Sequence, residues 1–306
     1  MYQYYQQTGD ETMRDIIDSW FADRFAEGAT TKNVNTMAPF LTLAYRYEET
    51  RNPAYLPWLD SWAEWAMHEM PRTEYGGMQH ITLAEENHQQ MWDDTLMMTV
   101  LPLAKIGKLL NRPDYIEEAT YQFLLHVQNL MDKETGLWFH GWSYEGQHNF
   151  ANARWARGNS WLTIVIPDFL ELLDLPQNNA VHRYLVQVLN AQIAALAKCQ
   201  DESGLWHTLL DDPQSYLEAS ATAGFAYGIL KAVRKRYVGQ NYASVAEKAI
   251  RGIVQHISAE GELLHTSFGT GMGHNLDFYR NIPRTSMPYG QAMAMLCLTE
   301  YLRKYF

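Results

Sequence analysis

Two adjacent carboxylates stand in the run Gln90-Met91-Trp92-Asp93-Asp94-Thr95-Leu96-Met97-Met98. Proton transfer is the chemistry such a pair could do. The apolar residues that follow read as a helix, with the pair in its opening turn. Adjacent helical residues point about 100° apart, so both cannot face solvent and at least one points inward. An ionised carboxylate among Trp and Met is costly, so its pKa should rise, which suits a general acid at neutral pH. Acidic residues also serve in first helical turns as partners of free N–H groups, and there the pKa falls. The sequence leaves both readings open.

Other segments could hold a substrate. Arg154-Trp155-Ala156-Arg157-Gly158-Asn159-Ser160-Trp161 sets two arginines beside aromatic rings. A guanidinium grips a carboxylate through paired hydrogen bonds, and an indole face stacks on a sugar ring. Solvated arginines on a Trp-anchored loop are the plainer alternative. Thr135-Gly136-Leu137-Trp138-Phe139-His140-Gly141-Trp142 adds a histidine that could bind hydroxyls or move protons. Ser267-Phe268-Gly269-Thr270-Gly271-Met272-Gly273 has glycines at alternate positions. With no strand before it and no prompt helix after, it fails as a phosphate cradle. A flexible rim loop closing over a ligand fits better. No HExxH, CxxC or Gly-x-Ser-x-Gly occurs, and no metal or organic cofactor is implied.

These segments need a scaffold, and the spacing suggests one. A glycine precedes a histidine by three or four residues at Gly77/His80, Gly136/His140, Gly204/His207 and Gly261/His265. The glycines lie 59, 68 and 57 residues apart, a period that fits one helical hairpin plus a loop. His80 and His140 rank above His207 and His265, because they lie nearest the acidic and arginine segments. Apolar periodicity predicts helices near 10–26, 35–50, 53–69, 89–110, 113–130, 158–174, 178–199, 217–237, 241–257 and 288–304. Helix 113–130 is apolar on one face, whereas 89–110 and 158–174 are apolar nearly all round and 217–237 opens with small residues. An inner ring of apolar helices inside an outer amphipathic ring is an α/α toroid. A stacked solenoid would instead make both helices of each pair equally amphipathic. In a toroid, the loops before 89, 158, 217 and 288 meet at one end.

Composition narrows the partners. The 306 residues are 47% apolar, which fits one catalytic domain over 1–306. The net charge of −11 argues against a nucleic-acid surface. No 18-residue uncharged apolar run occurs, so no membrane span is expected. The opening residues lack the basic end and apolar run of a signal peptide. Cys199 and Cys297 read as buried thiols, hence a cytoplasmic setting.

With these residues in hand, the chain resembles the unsaturated rhamnogalacturonyl hydrolases of glycoside hydrolase family 105, and more distantly the unsaturated glucuronyl hydrolases of family 88. The matching segments run in order over nearly the whole length: Pro71-Arg72-Thr73 with Gly76-Gly77 and His80; Gln90-Met91-Trp92 with Asp94; Thr135-Gly136-Leu137 with His140-Gly141-Trp142; Arg157 with Trp161; and Glu218-Ala219-Ser220-Ala221. The resemblance implies an (α/α)6 barrel of twelve helices, where ten are read. Tyr4 to Asp10 matches the end of the family's second helix. The ring is thus expected to lack its first helix and most of the second, leaving an apolar seam that a second copy would cover.

The resemblance also implies a reaction. Members remove a 4,5-unsaturated galacturonic acid from the non-reducing end of pectin-derived oligosaccharides. A carboxylic acid protonates C4, water adds at C5, and the hemiketal opens and releases the sugar. The rule tying carboxylate spacing to stereochemistry therefore does not apply. Asp94 matches the acid/base. His80, Trp92, His140, Arg157 and Trp161 match residues lining the sugar site, and Trp142 is expected to join Trp92 and Trp161 as the ring platform. Asn35 stands where the family has a second aspartate; its amide can bind a hydroxyl but cannot take a proton. Two other readings stay open: a sugar epimerase using His140 and His207, and a glycan-binding toroid without turnover.

Overall fold

The computed structural model describes residues 1–28 and 30–305. The chain runs through α1 (Tyr2–Thr8), α2 (Glu11–Glu27), α3 (Val34–Met37), α4 (Phe40–Thr50), α5 (Leu56–Glu64), α6 (Leu101–Leu109), α7 (Pro113–Leu130), α8 (Ala156–Leu173), α9 (Ala180–Cys199), α10 (Ala219–Arg234), α11 (Ala243–Val254), α12 (Leu276–Arg280) and α13 (Pro288–Tyr305). π-helical turns at Trp65–Glu69 and Leu96–Val100 extend α5 and lead into α6. Short strands β1 (Gln90–Trp92), β2 (Gly141–Ser143), β3 (Trp206–His207), β4 (Leu217–Glu218), β5 (Thr266–Ser267) and β6 (Arg284–Thr285) pair antiparallel as β1–β2, β3–β4 and β5–β6.

The long helices fall into two rings, as their composition dictates. Every residue of α10 from Ala219 to Val233 is buried, and so is α8 from Ala156 to Pro167. Small residues let these two backbones meet. Gly224 lies against Ser160 and Ile164, and a Cβ at Gly228 would come within 2.0 Å of the Thr163 carbonyl oxygen. Pro167 has no N–H to offer that carbonyl. By contrast, α7 buries Tyr115, Ala119, Phe123 and Leu130 and exposes Glu117, Tyr121 and Gln128. The inner helices pack in sequence, α4 on α6, α6 on α8, α8 on α10 and α10 on α13. Helix α1 packs on α13 and bridges back to α4. Its Tyr2 ring stacks on Tyr45 at 5.3 Å, and the Tyr2 hydroxyl donates to Glu49 at 2.6 Å. Gln3 donates to the Tyr227 hydroxyl at 3.0 Å. The expected seam is therefore spanned at its lower end by α1. Beside it a shallow recess is lined by Met13, Met295, Leu298 and Leu302.

Three expectations change. Segment 35–50 splits into α3 and α4 around Ala38-Pro39. Segment 89–110 opens as strand β1 and becomes helical only after Asp94, because Asn87 and Gln89 take left-handed conformations (φ 49° and 55°) that turn the chain into the ladder. Helices α1 and α12 were not among the ten read. The recurrent glycines also gain a physical reason. Gly136 and Gly204 have φ of 84° and 92° in two like turns, closed by Gly136 N–H donating to Asp132 O and Gly204 N–H to Asp201 O. Each is tucked under the next outer helix, with a Cβ falling 2.7 Å from Ala191 O or 2.4 Å from Lys248 O. A side chain there meets both backbone strain and a clash. No helix among the described residues is long and apolar enough to cross a membrane.

Candidate active site

Rim segments and inner-helix starts gather at one end of the ring. Three extended segments lie side by side there. His80 N–H donates to Gln90 O at 2.9 Å, β1 pairs with β2, and Asp93 N–H continues that ladder by donating to His140 O at 3.0 Å. This register stacks His80 on Trp92 at 4.1 Å and 8°. His140 meets the same indole edge-on at 5.2 Å and packs on Trp155 at 4.4 Å.

Asp94 enters from the turn between β1 and the π-helical segment. Its side chain is 17% exposed, and its Oδ1 lies 3.3 Å from His80 Nδ1. That oxygen is buried without a hydrogen-bond partner. Among the described residues no Lys or Arg forms an ion pair with Asp94. The carboxyl does not cap the helix: Met97 and Met98 donate to its backbone oxygen instead. His80 Nδ1 is also 2.8 Å from Thr95 Oγ1. Burial pulls the His80 pKa down, against the pull of Asp94. Burial likewise pulls His140 well below its ordinary value, helped by His80 and Arg157. Both rings are thus neutral hydrogen-bond partners at pH 7. His140 Nδ1 lies 2.8 Å from the Tyr279 hydroxyl, while its Nε2 is buried and unpartnered.

Asp93 is the more buried of the pair. It is fully enclosed, and both carboxyl oxygens lack partners. Its Oδ2 presses on α8, where a Cβ at Gly158 would come within 2.0 Å. The two carboxyls occupy a turn, not a helix, so the 100° rule that separated them does not govern here.

Arg157 and Trp161 lie one helical turn apart on α8, both buried. Arg157 donates to Ser267 O at 2.7 Å, to Phe268 O at 3.2 Å and to Thr270 Oγ1 at 2.8 Å. Trp155 and Tyr289 face its guanidinium at 4.5 and 4.7 Å. Arg157 therefore fastens the glycine-rich loop 267–273 over the site. Met272 in that loop covers Gly141, and Gly273 N–H donates to the Tyr279 hydroxyl at 3.1 Å.

Two expected residues stand apart. Strand pairing sets Trp142 opposite Met91, on the face away from Trp92 and Gly141. It packs with Met91, Leu125 and Tyr144, so it does not form one platform with Trp92. Asn35 is exposed on α3 and lines an aromatic groove with Trp20, Phe25 and Trp58. Among the described residues its side chain makes no hydrogen bond or ion pair with the Asp94 cluster, although Val34 beside it donates to Ile81 O and α3 packs on the π-helical turn that follows Asp94. His207 is tied to Ser215 O in its own turn and His265 lies beside His256. Trp155 was visible beside Arg157 but was not singled out. Tyr279 sits on a five-residue helix with no periodic signal.

Comparison with known proteins identifies the family and the fold. The family model described as Glycosyl Hydrolase Family 88 matches residues 1–305. The unsaturated rhamnogalacturonyl hydrolase YesR of Bacillus subtilis is 31% identical over 302 residues, covering 98% of this chain and 86% of YesR. A crystal structure from Salmonella enterica serovar Paratyphi A, described as a possible GH105 member, is 91% identical with a TM-score of 0.99, covering all of this chain and 81% of that one. The unsaturated glucuronyl hydrolase of Bacillus sp. GL1 shares the fold at 16% identity, with a TM-score of 0.76 over 99% of this chain and 84% of its own. The helical toroid is thus the fold of the family, and this chain, a glycoside hydrolase, belongs to glycosyl hydrolase family 88.

Proposed function

We propose that the chain removes a 4,5-unsaturated galacturonic acid from the non-reducing end of rhamnogalacturonan-derived oligosaccharides. The observation that carries this reading is the largely buried Asp94 carboxyl, without a Lys or Arg ion-pair partner among the described residues and 3.3 Å from His80. The similarity to YesR over nearly the whole chain supports the substrate class.

In this reading Asp94 donates a proton to C4 of the vinyl ether. The cation that develops at C5 is taken by water, which returns a proton to Asp94, and the hemiketal opens to free the leaving sugar. A single carboxyl serves as acid and then base, so Asn35 need not titrate. His80 orients Asp94. Trp92, with Trp161 on α8, offers the ring surface, and the free Nε2 of His140 meets a sugar hydroxyl. Arg157 sets the loop that closes the site and supplies positive charge toward the uronate carboxylate. Residues 1–306 act as one catalytic unit.

The test uses pectin-lyase products and follows loss of the unsaturated ring's absorbance. Asp94→Asn is expected to lower kcat by about 10²–10⁴-fold, the usual worth of a general acid, with an unchanged circular dichroism spectrum. A variant that keeps most of its turnover sinks the assignment. An epimerase would leave that absorbance untouched, as would a non-catalytic binder.

A further inference from the structure

The proton-transfer reading above leaves one buried titratable group without a role. Asp93 shows no exposure and neither carboxyl oxygen finds a donor. A bare carboxylate in such a place lacks both water and partners, so it holds a proton instead. The groups facing it bear this out in geometry. Asp94 follows it in the chain, Gly158 of α8 leaves no room for a side chain beside one oxygen, and the His140 carbonyl takes its N–H. Arg157 on α8 and Tyr279 on α12 are the other titratable neighbours that act on it or feel it. Arg157 spends its bonds on the 267–270 loop and makes none with Asp93.

We infer that Asp93 is a positioning residue: an acid that is neutral at pH 7, wedged between the Asp94 turn and the start of α8, whose lack of charge there lets Asp94 release its proton. Once Asp94 has given its proton to C4, it is an anion. A second anion beside it would oppose that step, as like charges in one site do. The aspartate therefore works only while its neighbour stays protonated. The direction of its titration agrees: burial first, and then Asp94, hold the Asp93 pKa well above the ordinary carboxyl value, against the opposing pull of the nearby Asp94 backbone amide and then of Arg157.

The test compares Asp93→Asn, which fixes the neutral form, with the unaltered enzyme. At pH 7 the variant, which preserves the neutral form but not the acid itself, is expected to lose kcat by no more than about tenfold, well short of the loss in Asp94→Asn. Its activity should persist to higher pH, with the alkaline limb of the kcat profile displaced upward by about one unit or more. A loss of more than about 100-fold in a folded variant, or an unmoved alkaline limb, overturns the inference. An infrared measurement stands beside it should Asp93→Asn not fold. In the Asp94→Asn protein at pH 7, the stretching band of a protonated carboxyl must remain, and its absence also overturns the inference. Activity surviving in Asp94→Asn would refute the reading of Asp94 instead, and the infrared band would still report on Asp93.

Discussion

The two mouths of the ring are built from the same inner helices and treat charge in opposite ways. At the lower mouth a cavity of about 430 Å³ is rimmed by Lys105, Lys108, Asp168, Glu171, Lys231 and Arg234. Every one of them is bonded. Lys231 reaches Asp168 at 2.5 Å and Glu171 at 2.6 Å, Lys105 reaches Glu48, Lys108 donates to Leu172 O, and Arg234 pairs with Glu300. At the upper mouth Asp93, Asp94 and His140 all keep buried polar atoms without partners. The charges of the lower mouth are thus paired, with Gln3 Oε1 the buried atom left over there, whereas among the described residues no Lys or Arg forms an ion pair with the two carboxyls of the upper mouth. Unmet hydrogen-bonding capacity marks the place for a substrate better than volume does, because only there can a ligand gain what the protein lacks.

Breaking the paired lower mouth should cost stability and spare chemistry. Lys231→Met leaves Asp168 and Glu171 short of their central partner, so unfolding free energy should fall by about 3–5 kcal/mol, as when one member of a buried ion pair is removed. Urea titration measures this, and kcat at a permissive temperature should hold. A large loss of kcat without loss of stability would erase the distinction between the mouths. Gly158→Ala attacks the upper mouth. Its methyl group would meet Asp93 Oδ2 at 2.0 Å, so a loss of about 1–3 kcal/mol from overpacking is expected, together with most of the activity.

The pH dependence of stability should carry opposite signs at the two ends. Burial pushes the Glu171 pKa up, yet Lys231 and Lys235 bring it down to about 2 from 4.5. Its contribution is present above 4.5 and lost as pH falls toward 2. Asp93 is raised in the folded state from an ordinary 3.8. The unfolded chain therefore releases its proton first, and stability falls as pH rises above 3.8, by up to about 1.4 kcal/mol per unit, until the folded group ionises. Thermal melts from pH 2 to 9 should show Asp93→Asn flattening the upper part of the profile and Lys231→Met the lower part. Identical profiles would break the contrast. The smallest effect is expected at Trp142. Trp142→Ala should change kcat/KM by less than about threefold, while Trp92→Ala should cost tenfold or more, about 1.4 kcal/mol of ring stacking. Equal losses would return Trp142 to the substrate platform.

Much of the architecture was legible in sequence, because helix burial leaves a periodic trace. The all-round apolar character of 158–174 and the small residues opening 217–237 foretold inner helices, and the one-sided pattern of 113–130 an outer one. Boundaries failed where long-range pairing overrode local pattern. Segment 90–92 looks helical in isolation, but β2, fifty residues on, supplies a ladder partner. Gln122 looks like a surface residue of α7, yet it is buried and holds the 76–78 turn, accepting from Met78 N–H and donating to Gly76 O. At the site, the motif pointed to Asp94, but the environment of Asp93 depends on Gly158 and could not be read from either residue. The pleat that sends Trp142 away from Trp92 follows from register, which no motif encodes.

The three short ladders have one more consequence. Each ties a rim strand to a neighbouring strand only two or three residues long, and β1–β2 carries Trp92 on the same bonds that orient Asp93. Recognition and architecture are therefore soldered together at this end. Laboratory evolution toward new glycans should find few neutral steps along 90–94 and 140–143, and should travel instead through the exposed residues at 83–86, outside that shared backbone.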